Sequence, residues 1–274
     1  MRVRLRSGVP VDQAIQQIET LGINAYGQAM PVGSSHPSDV RDEYVRWATS
    51  CERQLMGVMH RDDALAIFDN PRHRDICSMV PGSQTTMLVS NEVQAKSAEL
   101  GEIAAEIKET RASLLKAPGL PAVIDSNLLL ESLRPDQIPW TSLIGQPSRL
   151  MIPLRVIEEI DRKKYDEKTR LRKVAREVLA WLEDLFTGSN NGPVRLGGPD
   201  DTTIELLLAD RPRYRPSDAD EEILDKYHEV KLLTGAAKLI TADKGMRMRS
   251  RAESVDVIVI PDKYHRITGA QTHE

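Results

Sequence analysis

The 274-residue sequence predicts an α/β protein, a three-layer domain built on a parallel sheet and preceded by an N-terminal helical region. Three observations carry this. Residues 1–117 read mostly as helix. The stretch Lys116 to Pro121, with two prolines and a glycine, then breaks the chain. After it, short apolar runs alternate with helix-length amphipathic segments, the pattern of strands joined by crossover helices.

Taken in order, the first ~35 residues are weakly patterned, and Gly33 to Ser38 reads as a linker. Residues 39–68 carry Val40, Tyr44, Trp47, Cys51 and Leu55 at helical spacing. Pro71 to Pro81 and Gly82 to Thr86 read as loops. Residues 91–116 form a long amphipathic helix with Val93, Leu100, Ile103, Ile107 and Leu114 on one stripe. That stripe either packs on the preceding helices or mediates a homo-oligomer. From Pro121, strands are expected at 122–124, 150–153, 194–196, 204–208, 238–241 and 255–260. Helices fill 126–133, 155–164, 168–186, 218–234 and 244–252. Domains at 1–117 and 118–274 follow.

Composition narrows the class. An apolar fraction of 40% and a charged fraction of 28% are those of a soluble globular protein. No apolar run reaches membrane-spanning length, and the start lacks a secretory signal's apolar stretch. Cys51 and Cys77 form no metal or disulfide pattern, so a reducing, cytoplasmic setting is expected. The six histidines lack zinc spacing, and no phosphate-binding glycine loop is present.

In parallel α/β sheets, sites form at the carboxyl ends of strands. Asp125 and Asp243 each directly follow an apolar strand. Each also suits the ordinary role of capping the next helix. On the helix from 218, Asp220 falls about 60° from Ile223 and so points to the apolar face, whereas Asp218, Glu221 and Glu222 point away. An inward acid needs a cation or a donor. On the helix from 155, Glu159 borders the core side more closely than Glu158. Four acids at one edge repel, and a carboxylate set without His or Cys suits Mg²⁺ or Mn²⁺.

Net charge is −4, yet basic residues cluster beside these acids. Residues 162–176 hold eight basic and two acidic residues, a local excess of 8 − 2 = +6. This run includes Arg162, Lys163 and Lys164. Arg211, Arg213 and Arg215 form a second cluster around Tyr214, a candidate base-stacking residue. Lys244, Arg247, Arg249 and Arg251 form a third. Each is by itself an ordinary solvated face; together they suit a phosphate polymer approaching an acidic pocket.

Four segments carry a family resemblance: VIDSNLL (123–129), IPLRVIEEIDR (152–162), DEEIL (220–224) and LITADKGMR (239–247). In this order and spacing, residues 121–261 resemble the PIN domain, a Rossmann-like metal-dependent nuclease fold. The resemblance implies catalytic and metal-binding roles for Asp125, Glu159, Asp220 and Asp243, with support from Ser126, Asn127 and Thr241. It implies products with a 5′-phosphate and a 3′-hydroxyl. Ser126 stands where threonine is usual, and Ala242 where asparagine is common. Residues 1–117 match nothing in the family pattern.

The expected activity is an endoribonuclease acting on single-stranded RNA with Mg²⁺ or Mn²⁺. Arg162, Lys163, Lys164, Arg213, Arg215, Lys244 and Arg247 are the candidate phosphate contacts. Three alternatives remain open: a toxin ribonuclease with an inhibitory partner protein, a DNA structure-specific nuclease, and a non-catalytic RNA-binding scaffold.

Overall fold

The computed structural model describes residues 3–30, 36–189, 192–207 and 218–266. Arg213, Tyr214 and Arg215 lie outside the described residues. Among the described residues no helix is long and apolar enough to cross a membrane. The chain divides into two compact units at Ser113–Leu114.

The first unit is helical. α1 (Val11–Ala29) buries Val11, Ala14, Ile15, Ile18, Leu21, Gly22, Ala25 and Ala29. The weak pattern expected for this segment is corrected: half its stripe is alanine or glycine, too small to stand out as apolar periodicity. The single run expected over 39–68 is two helices, α2 (Pro37–Leu55) and α3 (Arg61–Phe68). Between them Met59 turns back to form a β-bridge with Leu5. The loop expected over 71–81 contains α4 (Pro71–Ser78), whose N-cap Asn70 accepts from the His73 amide at 2.9 Å. Asn followed by Pro at the first helical position is a helix start as well as a turn signal.

α5 (Thr85–Lys116) begins earlier than expected. Its stripe from Val89 to Ile107 is buried within this unit. Gly22 of α1 lies so close that an added Cβ would meet the Ser97 carbonyl at 3.2 Å and the Leu100 Cβ at 3.3 Å. Ser97 donates to the Gly22 carbonyl at 2.7 Å, and Glu19 and Asp12 pair with Lys108 and Arg111. Leu100 of this stripe thus packs against the chain's own α1. A homo-oligomer through this helix would have to use another face.

The second unit is a mostly parallel six-stranded sheet with flanking helices. In chain order it runs β1 (Leu120–Ile124), α6 (Ser126–Glu131), α7 (Trp140–Ile144), β2 (Ser148–Pro153), α8 (Leu154–Lys163) and α9 (Thr169–Phe186). β3 (Val194–Arg195), β4 (Thr203–Leu207), α10 (Ala219–Thr234), β5 (Lys238–Ile240), α11 (Lys244–Ala252) and β6 (Val257–Ile258) follow. The strand order is β3-β4-β2-β1-β5-β6. The sheet is parallel as expected except at β3, which is antiparallel to β4. Seven residues separate β3 from β4, whereas a parallel crossover needs a dozen or more. α7 is a helix the sequence pattern did not reveal.

The central strands β1 and β2 are buried from Pro121 to Ile124 and from Ser148 to Pro153. That two-sided burial is why they read as continuous apolar runs rather than alternating ones. Arg149 is the exception inside this core. Its guanidinium donates to the carbonyls of Leu114 (2.8 Å) and Ala117 (3.1 Å), at the end of α5, and pairs with Glu205 of β4 at 3.3 Å. A cation there satisfies carbonyls that the helix end leaves without partners.

From β1 the chain adds β2 and then β4 on one side, and later crosses to place β5 on the other. β1 and β5 therefore flank the switch point. Their carboxyl ends, in parallel register with Ile124 opposite Ile240, open a crevice where open α/β sheets bind ligands.

Candidate active site

Asp125 follows β1 directly at this crevice, and its amide donates to the Ile240 carbonyl at 3.2 Å. The side chain is the N-cap of α6, accepting from the Leu128 amide at 3.0 Å. Its other oxygen accepts from the Thr241 hydroxyl. Thr241 comes straight after β5 and is fully buried, and its oxygen also accepts from the Asp243 amide at 3.0 Å. One hydroxyl thus locks the two strand ends together.

Asp243 repeats the arrangement one strand over. It caps α11 by accepting from the Met246 amide at 2.8 Å, while Asn127 of α6 donates to its second oxygen at 3.5 Å. Gly245 leaves room for this: an added Cβ would stand 3.0 Å from the capping oxygen. The ordinary capping role and the site position therefore coexist in both aspartates. Ser126 is the first residue of α6, partly buried, and its hydroxyl makes no hydrogen bond among the described residues.

Asp220 lies in the first turn of α10, which packs on β1 and β5. The inward placement expected for it needs correction. Its side chain is 38% exposed, and Glu222, expected to point away, is only 13% exposed and pairs with Arg155 of α8 at 3.7 Å. The crossing of α8 over α10 covers a face that helix periodicity alone leaves to solvent. Asp220 is instead a rim residue of the crevice. Glu159, on α8, is partly buried and makes no hydrogen bond or ion pair among the described residues.

Electrostatics links the four. Burial, at 2% exposure, pushes the Asp125 carboxyl up to about 6. Bonds from Thr241, Leu128 and Asn127 oppose that rise, and the nearby charge of Asp243 adds to it. Burial likewise raises Asp220, with repulsion from Asp218, Asp243 and Glu159 adding and Arg249 subtracting. Asp243 thus acts on both Asp125 and Asp220, and Glu159 acts on Asp220.

Two arginines lie near this charge. Arg155 lies near Glu158 and Glu222. Arg249, in the last turn of α11, bonds Asp218 at 2.5 Å and reaches Asp220 at 3.6 Å. The sequence pattern placed Arg249 in a basic cluster and did not single it out there. Arg249 lies six residues after Asp243, so about one and two-thirds turns carry it round to the α10 side.

Arg162 and Lys163 end α8 exposed, Lys163 lying 3.8 Å from Asp166. Lys164 is held by Asp161 at 2.5 Å. Lys244 is exposed and Arg247 partly buried at the start of α11.

The donor set is chemically suited to a hard divalent cation: carboxylates, a hydroxyl and an amide, with no sulfur or imidazole. Among the described residues, however, no three His, Cys, Asp or Glu side chains already stand close enough to hold a metal together. Shared ligation by these carboxylates would therefore require side-chain movement.

No curated protein matches the chain. The family model of the PIN domain matches residues 122–260, which include all four acids, the carboxyl end of β1 and all of β2 to β6. PIN domains are generally nucleases and typically use divalent metals. The match spans just over half of the 274 residues, and the chain belongs to the PIN domain family.

Proposed function

We propose that the second unit hydrolyses phosphodiester bonds in single-stranded RNA as an endonuclease, with Mg²⁺ or Mn²⁺ held by Asp125, Asp220 and Asp243. The observation that carries this reading is Asp125, a nearly buried carboxylate facing Asp243 at the β1/β5 switch point. When bound, the cation supplies an acidified water and offsets the mutual repulsion of the carboxylates.

The chain's own residues do the positioning. Thr241 and the Leu128 amide hold the Asp125 carboxylate in one orientation. Asn127 and the Met246 amide do the same for Asp243. Glu159, without a hydrogen-bond partner among the described residues, is free to orient the attacking water or hold a second ion. Arg162, Lys163, Lys244 and Arg247 are proposed to contact backbone phosphates, giving affinity with little sequence preference.

The test is cleavage of end-labelled RNA, single-stranded DNA and forked DNA by wild type and Asp125→Asn, with Mg²⁺, Mn²⁺ or chelator. The expected result is metal-dependent cleavage of single-stranded RNA by wild type alone. Equal activity of the two proteins, or inertness of both with either metal, refutes the reading. Cleavage confined to forks moves it to DNA, and tight metal-independent RNA binding without cleavage moves it to a scaffold.

A further inference from the structure

Arg249 is a cation within ion-pair reach of one of the four acids, Asp220. Its two contacts differ in kind. Asp218 accepts a 2.5 Å hydrogen bond, while Asp220 stands at 3.6 Å as an ion-pair neighbour. Asp218 is outside the acid set: it is the N-cap of α10 and accepts from the Asp220 amide at 3.0 Å. Arg249 can therefore release Asp220 without losing its main anchor. Arg155, the other nearby arginine, pairs with Glu158 and Glu222, each at 3.7 Å.

We propose that Arg249 is the resident counter-charge of the acid cluster and that a divalent cation must displace it from Asp220 to bind. The inference rests on the metal-dependent reading of the site. Arg249 then sets cation affinity: it stabilises the cation-free cluster and competes with the ion for Asp220. Held by Asp218, it stays beside the site as a positive group after the exchange.

Isothermal titration of the 274-residue chain with Mn²⁺ at low ionic strength tests this. Arg249→Ala and Arg249→Gln are expected to bind Mn²⁺ about fivefold more tightly than wild type, and Arg249→Lys, which keeps the charge, within about twofold of it. Arg251→Ala, which removes an equal charge from the exposed end of the same helix, is expected to match wild type. Unchanged or weaker binding by both Arg249→Ala and Arg249→Gln overturns the proposal. So does equal tightening by Arg251→Ala, which would mean a general field rather than a specific pair. Lysine behaving like alanine overturns it too, because a structural clamp depends on the guanidinium fork and not on charge. Wild type that binds no Mn²⁺ refutes the metal reading itself, and this inference with it.

Discussion

Asp125 carries a conflict between burial and charge. Its carboxyl rises from 3.8 to about 6, so the folded chain binds its proton more tightly than the unfolded chain does. Stability of the cation-free protein therefore falls as pH rises from about 4 to 6, and above pH 6 the full penalty applies. The shift corresponds to about 3 kcal/mol at most. Asp125→Asn removes the ionisable proton at nearly constant size, and loses part of the acceptor pattern toward Thr241 and Leu128. The expected net effect in chelator at pH 7.5 is a gain of about 1–2 kcal/mol for the second unit, vanishing near pH 4. Denaturant unfolding across pH 4–8 measures this. No gain at pH 7.5, or a gain that grows toward acid, contradicts it.

At the scale of elements, the Arg149–Glu205 pair joins β2, β4 and the end of α5. Arg149 is 1% exposed, and burial lowers its pKa while raising that of Glu205. Arg149→Met strands the buried Glu205 and leaves two helix-end carbonyls without their donor, an expected loss of about 3–5 kcal/mol. Adding Glu205→Met removes the stranded charge, so the double variant is expected to recover part of that loss. A double variant less stable than Arg149→Met alone would show that the pair is not the source of the cost. The elements themselves were mostly legible beforehand. The five longer helices of the second unit match apolar periodicity because one face of each meets the sheet or a neighbouring helix. α1, α4 and α7 were not legible: an alanine-rich stripe, an Asn-Pro start and a single short turn give little periodic signal. The antiparallel β3 was readable from loop length alone.

For the molecule as a whole, net charge is −4 while the proposed RNA contacts are local basic positions. Each phosphate contact contributes about 0.7 to the slope of log affinity against log salt on a single strand. In an Asp125→Asn background, which prevents cleavage, Arg162→Ala with Lys163→Ala is expected to lower that slope by about 1.4. An unchanged slope would place the RNA path elsewhere on the surface. Lys164, held by Asp161, is the weaker candidate of the three.

The sequence by itself determined the strands and helices around the crevice and the two aspartates that follow β1 and β5. Those signals are local: a buried strand writes a continuous apolar run, and a cap must sit at the helix start. Only the tertiary structure decided which charges meet. Glu222 faces Arg155, Arg249 rather than Arg247 pairs with Asp220, and Arg149 reaches back to the end of α5. These contacts join side chains from 29 to 67 positions apart. Helical period fixes a direction on one element, but the neighbour that lies in that direction is set by how α8, α10 and α11 pack.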